Sequence, residues 1–148
     1  MKKNITLMAV LFCLIFTMAL PVGAASQVVC ETTTVTTVYG DIEVEETLVI
    51  YTNLRSNTKS VDKTSTYRQG GSVIAEVTLN ATFGYDGKTS WVVSASGSHT
   101  TYGVWSYNNE RITKSGGTAR LSAALNAPLS QGVSVNISLT CSPSGSIS

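Results

Sequence analysis

The chain reads as an all-β protein: an antiparallel β-sandwich, Ig-like or jelly-roll-like, of about seven to nine short strands behind an N-terminal signal peptide. Three observations carry this reading. Past residue 25 no segment holds a sustained helical stripe, and Val, Thr, Ile and Tyr dominate. Apolar residues recur with period two in several stretches. Gly-containing turn pairs separate those stretches. The 148 residues leave room for one domain of ordinary size.

The first element is an export signal. Lys2 and Lys3 are followed by an uncharged run from Ile5 to Leu20, then Pro21, then the small residues Gly23-Ala24-Ala25. This assigns residues 1–25 to a signal peptide cut after Ala24 or Ala25, and 26–148 to the domain. The run is about 16 residues, short of the roughly 20 that span a bilayer. Cys13 follows Phe12 and Cys30 follows Val29, so neither has the small residue that precedes a lipidated bacterial cysteine. Residues 141–148 carry no hydrophobic tail. The expected localisation is secreted, with no stable membrane anchor after cleavage.

Two features then bound the chemistry. Removing Lys2 and Lys3 from the ten basic residues leaves eight against nine acidic, a net charge near −1. Such a chain lacks the basic balance of a nucleic-acid binder. Of three cysteines, Cys13 leaves with the signal, and Cys30 and Cys141 form an even pair in an oxidising compartment. The expectation is a Cys30–Cys141 disulfide closing a loop of about 110 residues, worth roughly 4–5 kcal/mol in the chain-entropy model.

Strands follow in order. Residues 28–39 are Thr-rich with no clear inner face, which suits a sheet edge. Ile42, Val44, Leu48, Ile50 and Leu54 share one parity, interrupted by Glu46 and Thr52. Residues 56–66 read as a loop or exposed strand. From Val73 to Tyr85 the alternation is clearest, with Val73, Ala75, Val77, Leu79, Ala81, Phe83 and Tyr85 on one apolar side. Asp86-Gly87 marks a hairpin, with Gly87 left-handed. A three-residue loop there pairs Ala81 with Trp91, Leu79 with Val93 and Val77 with Ala95, and turns Trp91 inward. Residues 94–99 read as a loop. Leu121, Ala123 and Leu125 alternate with polar or small residues, and Val133, Val135, Ile137, Leu139 and Cys141 alternate with Ser, Asn and Thr.

Three segments carry a resemblance: Ala81-Thr82-Phe83-Gly84-Tyr85-Asp86-Gly87, Lys114-Ser115-Gly116-Gly117-Thr118-Ala119, and the ending from Leu139 to Ser148. Over roughly its last two-thirds the chain resembles uncharacterised small secreted β-rich proteins of Gram-positive, clostridia-like bacteria with no known activity. The resemblance implies export and a small β fold. It brings no catalytic residue.

Catalytic inventory is thin. His99 is the single histidine, flanked by Ser98 and Thr100, and reads as a solvated loop residue rather than a general base. Glu43 and Glu45 share one strand face about 7 Å apart, within glycosidase range. With Glu46 beside them and apolar residues on the opposite parity, they read as a solvated charge run. Asp41, Asp62 and Asp86 stand alone, so no metal and no cofactor is expected.

The candidate ligand-binding residues are Tyr102, Trp105, Tyr107, Asn108 and Asn109. Aromatic rings beside planar amides can stack on a sugar face and bond its hydroxyls. The competing reading makes Trp105 a core plug and Asn108-Asn109 a turn. The functional expectation is a secreted, non-enzymatic β-domain that binds an extracellular glycan or cell-wall polymer. The alternative is a released protein-interaction or toxin-like factor that acts on other cells or a host receptor.

Overall fold

The computed structural model describes residues 10–11, 28–53, 56–128 and 131–148. Apart from Val10 and Leu11, the expected signal peptide and its cleavage site lie outside the described residues, as does Leu54. All regular structure among the described residues is β, in antiparallel pairs.

One sheet, sheet A, contains β2 (Val28–Tyr39), β3 (Ile42–Asn53), β4 (Thr58–Gln69), β5 (Ser72–Tyr85) and β6 (Ser90–Thr101), in that order. A two-residue strand, β1 (Val10–Leu11), pairs with Thr33 and Thr32 at the β2 edge. Sheet B contains β7 (Ser106–Ser115), β8 (Thr118–Asn126) and β9 (Val133–Thr140). The sheets pack over a common core of Val61, Val77, Leu79 and Phe83 from sheet A and Leu121, Leu125, Val135, Ile137 and Leu139 from sheet B. Burying each of these side chains contributes about 1.5–3 kcal/mol. Sheet B lies over β4 to β6.

Within each sheet every strand pairs with its neighbour in sequence. An Ig-like or jelly-roll-like arrangement needs a long Greek-key connection, which does not occur among the described strands. The turns explain this. Tyr39 pairs with Ile42, Gln69 with Ser72, and Ser115 with Thr118, so each connection is two residues long.

The β5–β6 hairpin departs from the expected register. Its connection is Asp86–Thr89, and Tyr85 pairs with Ser90. The Asp86 carboxylate accepts from the backbone N–H groups of Thr89 (2.6 Å) and Lys88 (2.8 Å), which hold its pKa below the ordinary value. Gly87 is left-handed as expected, at φ 85°. Gly84 therefore pairs with Trp91, Phe83 with Val92 and Ala81 with Ala95, and Val93 is the extra residue of a bulge. Trp91 points outward, and Val92 and Ala95 pack on the core. A second bulge beside Tyr67 buries Ile74 and leaves Val73 half-buried. Residues 94–99 belong to β6 rather than to a loop: Ala95 and Gly97 face inward, and Ser94, Ser96 and Ser98 face out.

The expected Cys30–Cys141 disulfide is absent, and both cysteines are free thiols. Cys30 pairs with Tyr51, on the outward face of sheet A, whereas Cys141 is 2% exposed in the core. A bridge would have to pass through the sheet. Burial pushes the Cys141 thiol pKa up. Thiol titration of the denatured, unreduced 26–148 chain is expected to give two free thiols; none would show that the bridge forms.

The three segments that carry the resemblance meet at one end of the sandwich. Val92 N–H donates to Gly116 O (3.0 Å), Cys141 N–H to Gly117 O (2.8 Å) and Gly87 N–H to Pro143 O (2.9 Å). The C-terminus folds back so that Ile147 bridges Cys141 and Lys59 Nζ donates to Gly145 O (2.6 Å). Together these contacts form a structural clasp.

Candidate functional site

The five residues singled out from sequence do not share a face. Tyr102 N–H bonds Ile74 O, which ties the end of β6 to β5. Its hydroxyl donates to Glu76 Oε2 (3.0 Å), and the ring stays 44% exposed. Trp105 and Tyr107 turn the other way and pack half-buried against the core. Asn108 is exposed, with Nδ2 donating to Ser106 Oγ (3.1 Å). Asn109 sits at φ 58° in a bulge between Asn108 and Arg111, a conformation Asn tolerates better than most residues.

That bulge turns Glu110 back over the core edge, where its carboxylate would meet any Cβ placed on Gly97. Tyr107 Oη donates to Glu110 Oε2 at 2.7 Å. Burial first, then this carboxylate, raises the Tyr107 pKa well above the ordinary tyrosine value. His99, expected in a solvated loop, is a β6 residue whose ring stacks on Tyr107 at 3.8 Å between centroids and 19° between planes. Tyr107 thus contacts both Glu110, through its hydroxyl, and His99, through its ring face.

Sheet A carries a second polar group on its inner side. Glu46 faces inward, pairs with Lys63 Nζ at 3.3 Å and accepts from buried Ser65 Oγ at 3.5 Å. Tyr67 lies beside them, 4% exposed. Glu43 and Glu45 face outward as expected, with Arg68 at 3.7 Å from Glu45. Among the described residues no three His, Cys, Asp or Glu side chains are grouped to hold a metal ion.

The outward face of sheet A has a different character. Hydroxyl residues stand in register across all five long strands: Thr34, Thr47, Thr64, Thr78 and Ser98. Adjacent rungs hold Ser60 with Thr82 (3.2 Å) and Asn80 donating to Asp62 (2.8 Å). Cross-strand bonds of this kind fix the side chains in place while leaving lone pairs and protons directed outward. Trp91 stands at one end of this face, 45% exposed. Its indole lies over Gly84, filling the space that a Cβ would take there. At the other end of β6 stands Tyr102.

Sequence reasoning missed Trp91 as a surface residue because the bulge at Val93 reverses parity on either side of it. The small residue Gly84 five positions before the Asp86–Thr89 turn's end was the available signal, since a glycine in a strand marks close approach of another group. Comparison with protein-family models, curated proteins and solved structures finds no match to this chain.

Proposed function

We propose that this is a secreted, non-enzymatic β-sandwich module that binds an extracellular glycan or cell-wall polymer on the outward face of sheet A. The observation that carries the reading is the half-exposed indole of Trp91 lying over Gly84, continuous with in-register rows of hydroxyl and amide groups. Trp91 and Tyr102 bracket β6, so the face is about 35 Å long by strand rise. That length suits an extended polymer rather than a single sugar. The indole supplies a stacking surface, and Thr82, Ser60 and Asn80 supply donors and acceptors for sugar hydroxyls. The non-enzymatic reading rests on the thin catalytic inventory of the sequence, with His99 as the single histidine.

The test is retention of the 26–148 chain on insoluble peptidoglycan, chitin, cellulose and mucin. Trp91→Ala is expected to weaken saturable binding about tenfold, as loss of an aromatic anchor does. Undiminished binding by folded Trp91→Ala would sink the platform, and Trp105→Ala and Tyr107→Ala would then test the half-buried pair. Retention on no polymer would favour the protein-interaction or toxin-like reading.

A further inference from the structure

The charges of this chain are segregated. Glu110 is the one acidic residue from Lys88 to Ser148, and the other eight all precede it. Sheet B is built from that late segment. Glu110 points back toward Gly97 and Tyr107, away from the outward face of sheet B. That face therefore presents cations with no Asp or Glu side chain among them.

Its geometry is specific. Arg111 pairs with Ser122 across the β7–β8 ladder, and Thr113 pairs with Arg120. The two arginines are thus diagonal neighbours, about 7–8 Å apart at their backbones. Both are exposed. The ion pairs among the described residues are Lys63–Glu46 and Arg68–Glu45, both in sheet A. Two like charges held this close repel unless an anion lies between them. Arg120 borders a shallow depression of about 370 Å³, lined also by Thr113, Leu121, Ser122, Asn136, Ile137 and Ser138. It offers hydroxyl and amide groups next to guanidinium forks that can grip an oxyanion with two parallel hydrogen bonds.

We propose that the outward face of sheet B binds an acidic polysaccharide, with Arg111 and Arg120 holding its carboxylate or sulfate groups and Asn136, Ser122 and Thr113 bonding the adjacent sugar hydroxyls. This site lies on the opposite side of the sandwich from Trp91. It stands or falls independently of the platform there.

Affinity electrophoresis of the 26–148 chain tests it, with polygalacturonate as the carboxylated probe, heparin as the sulfated probe and dextran as the neutral control. Retardation by one or both charged gels, and not by dextran, is expected; whichever retards names the anion. The double variant Arg111→Gln/Arg120→Gln is expected to bind at least about tenfold more weakly. Lys114→Gln, which removes another cation of the same sheet, is expected to bind within about twofold of the parent, and Trp91→Ala likewise. Circular dichroism of each variant confirms that it is folded. The proposal is overturned by retention on neither charged gel or by equal binding of the double variant. It is also overturned by a Lys114→Gln loss as large as that of the arginines, which would mean diffuse charge, or by equally strong competition from single-stranded DNA at the same salt.

Discussion

Gly117→Ala is expected to destabilise the domain by about 3 kcal/mol, lowering the melting temperature on the order of 10 °C. Gly117 lies in the β7–β8 turn, where three chain segments converge. A Cβ there would overlap Ser90 Oγ and stand 2.5 Å from the Cys141 carbonyl oxygen. Neither neighbour can retreat freely. Ser90 Oγ donates to Cys141 O at 2.6 Å, and Cys141 N–H is held by Gly117 O at 2.8 Å. The methyl group must break one of these bonds, costing about 1 kcal/mol, or shift the β9 end and overpack the core. Gly116, one residue earlier, has φ 53° but open space around it. Gly116→Asn, which tolerates that conformation, is expected to cost under about 1 kcal/mol. Thermal unfolding of the two variants side by side separates lack of space from backbone strain. A Gly117→Ala midpoint within 2 °C of the parent, on the scale of that roughly 10 °C fall, would show that the clasp yields.

Alkaline pH is expected to remove roughly 2–3 kcal/mol of stability through Tyr67 alone. Burial pushes this phenol from 10 up to about 12, with the Ser65 hydrogen bond opposing and the charges of Glu46 and Tyr39 adding to the rise. The folded state therefore holds the proton more tightly than the unfolded chain does. Below about pH 10 both states are protonated and the contribution is complete. Between about 10 and about 12 the unfolded chain ionises first, and the contribution drains away. Tyr107, raised by burial and Glu110, acts in the same sense. Denaturant midpoints should fall across this window, and less steeply in Tyr67→Phe. Phenolate absorbance that reaches its full six-tyrosine value below pH 11 with the fold intact would contradict the burial argument.

Much of the fold was legible because a single face decides a strand. In β5 the alternation of Ala75, Val77, Leu79, Ala81 and Phe83 matches burial residue for residue. In β8 and β9 the parity holds at Leu121, Leu125, Val135, Ile137 and Leu139, while Ala123 and Val133 are only half-buried, and Cys141 falls on the buried parity it was expected to take. Legibility ended where the period slipped. The bulge at Val93 reversed the expected position of Trp91, and the one beside Tyr67 exchanged Val73 for Ile74. One inserted residue is invisible to a pattern that assumes constant period two. The disulfide expectation failed for a related reason. Cysteine parity counts reach, and β2, with Thr on both faces, gave no sign of which way Cys30 would point.

The candidate site was less legible than the fold. Tyr102, Trp105 and Tyr107 were grouped as one site across a corner where the chain changes sheets, and only Tyr102 is fully on the surface. Turn Tyr102–Trp105, closed by Trp105 N–H on Tyr102 O at 3.3 Å, sends the flanking rings to opposite sides. Segregation of charge, by contrast, was present in the sequence all along. It became meaningful only once β7 to β9 were seen to form a separate sheet.

The clasp at the end of the sandwich also bears on how the chain is made. Polypeptides emerge amino terminus first. Here every strand of sheet A precedes every strand of sheet B, and the closing contacts come from Pro143, Gly145 and Ile147. Without Pro143, Gly145 and Ile147 all eight long strands would be present and these contacts would be missing. The contacts that close this end therefore become available only after both sheets have been synthesised.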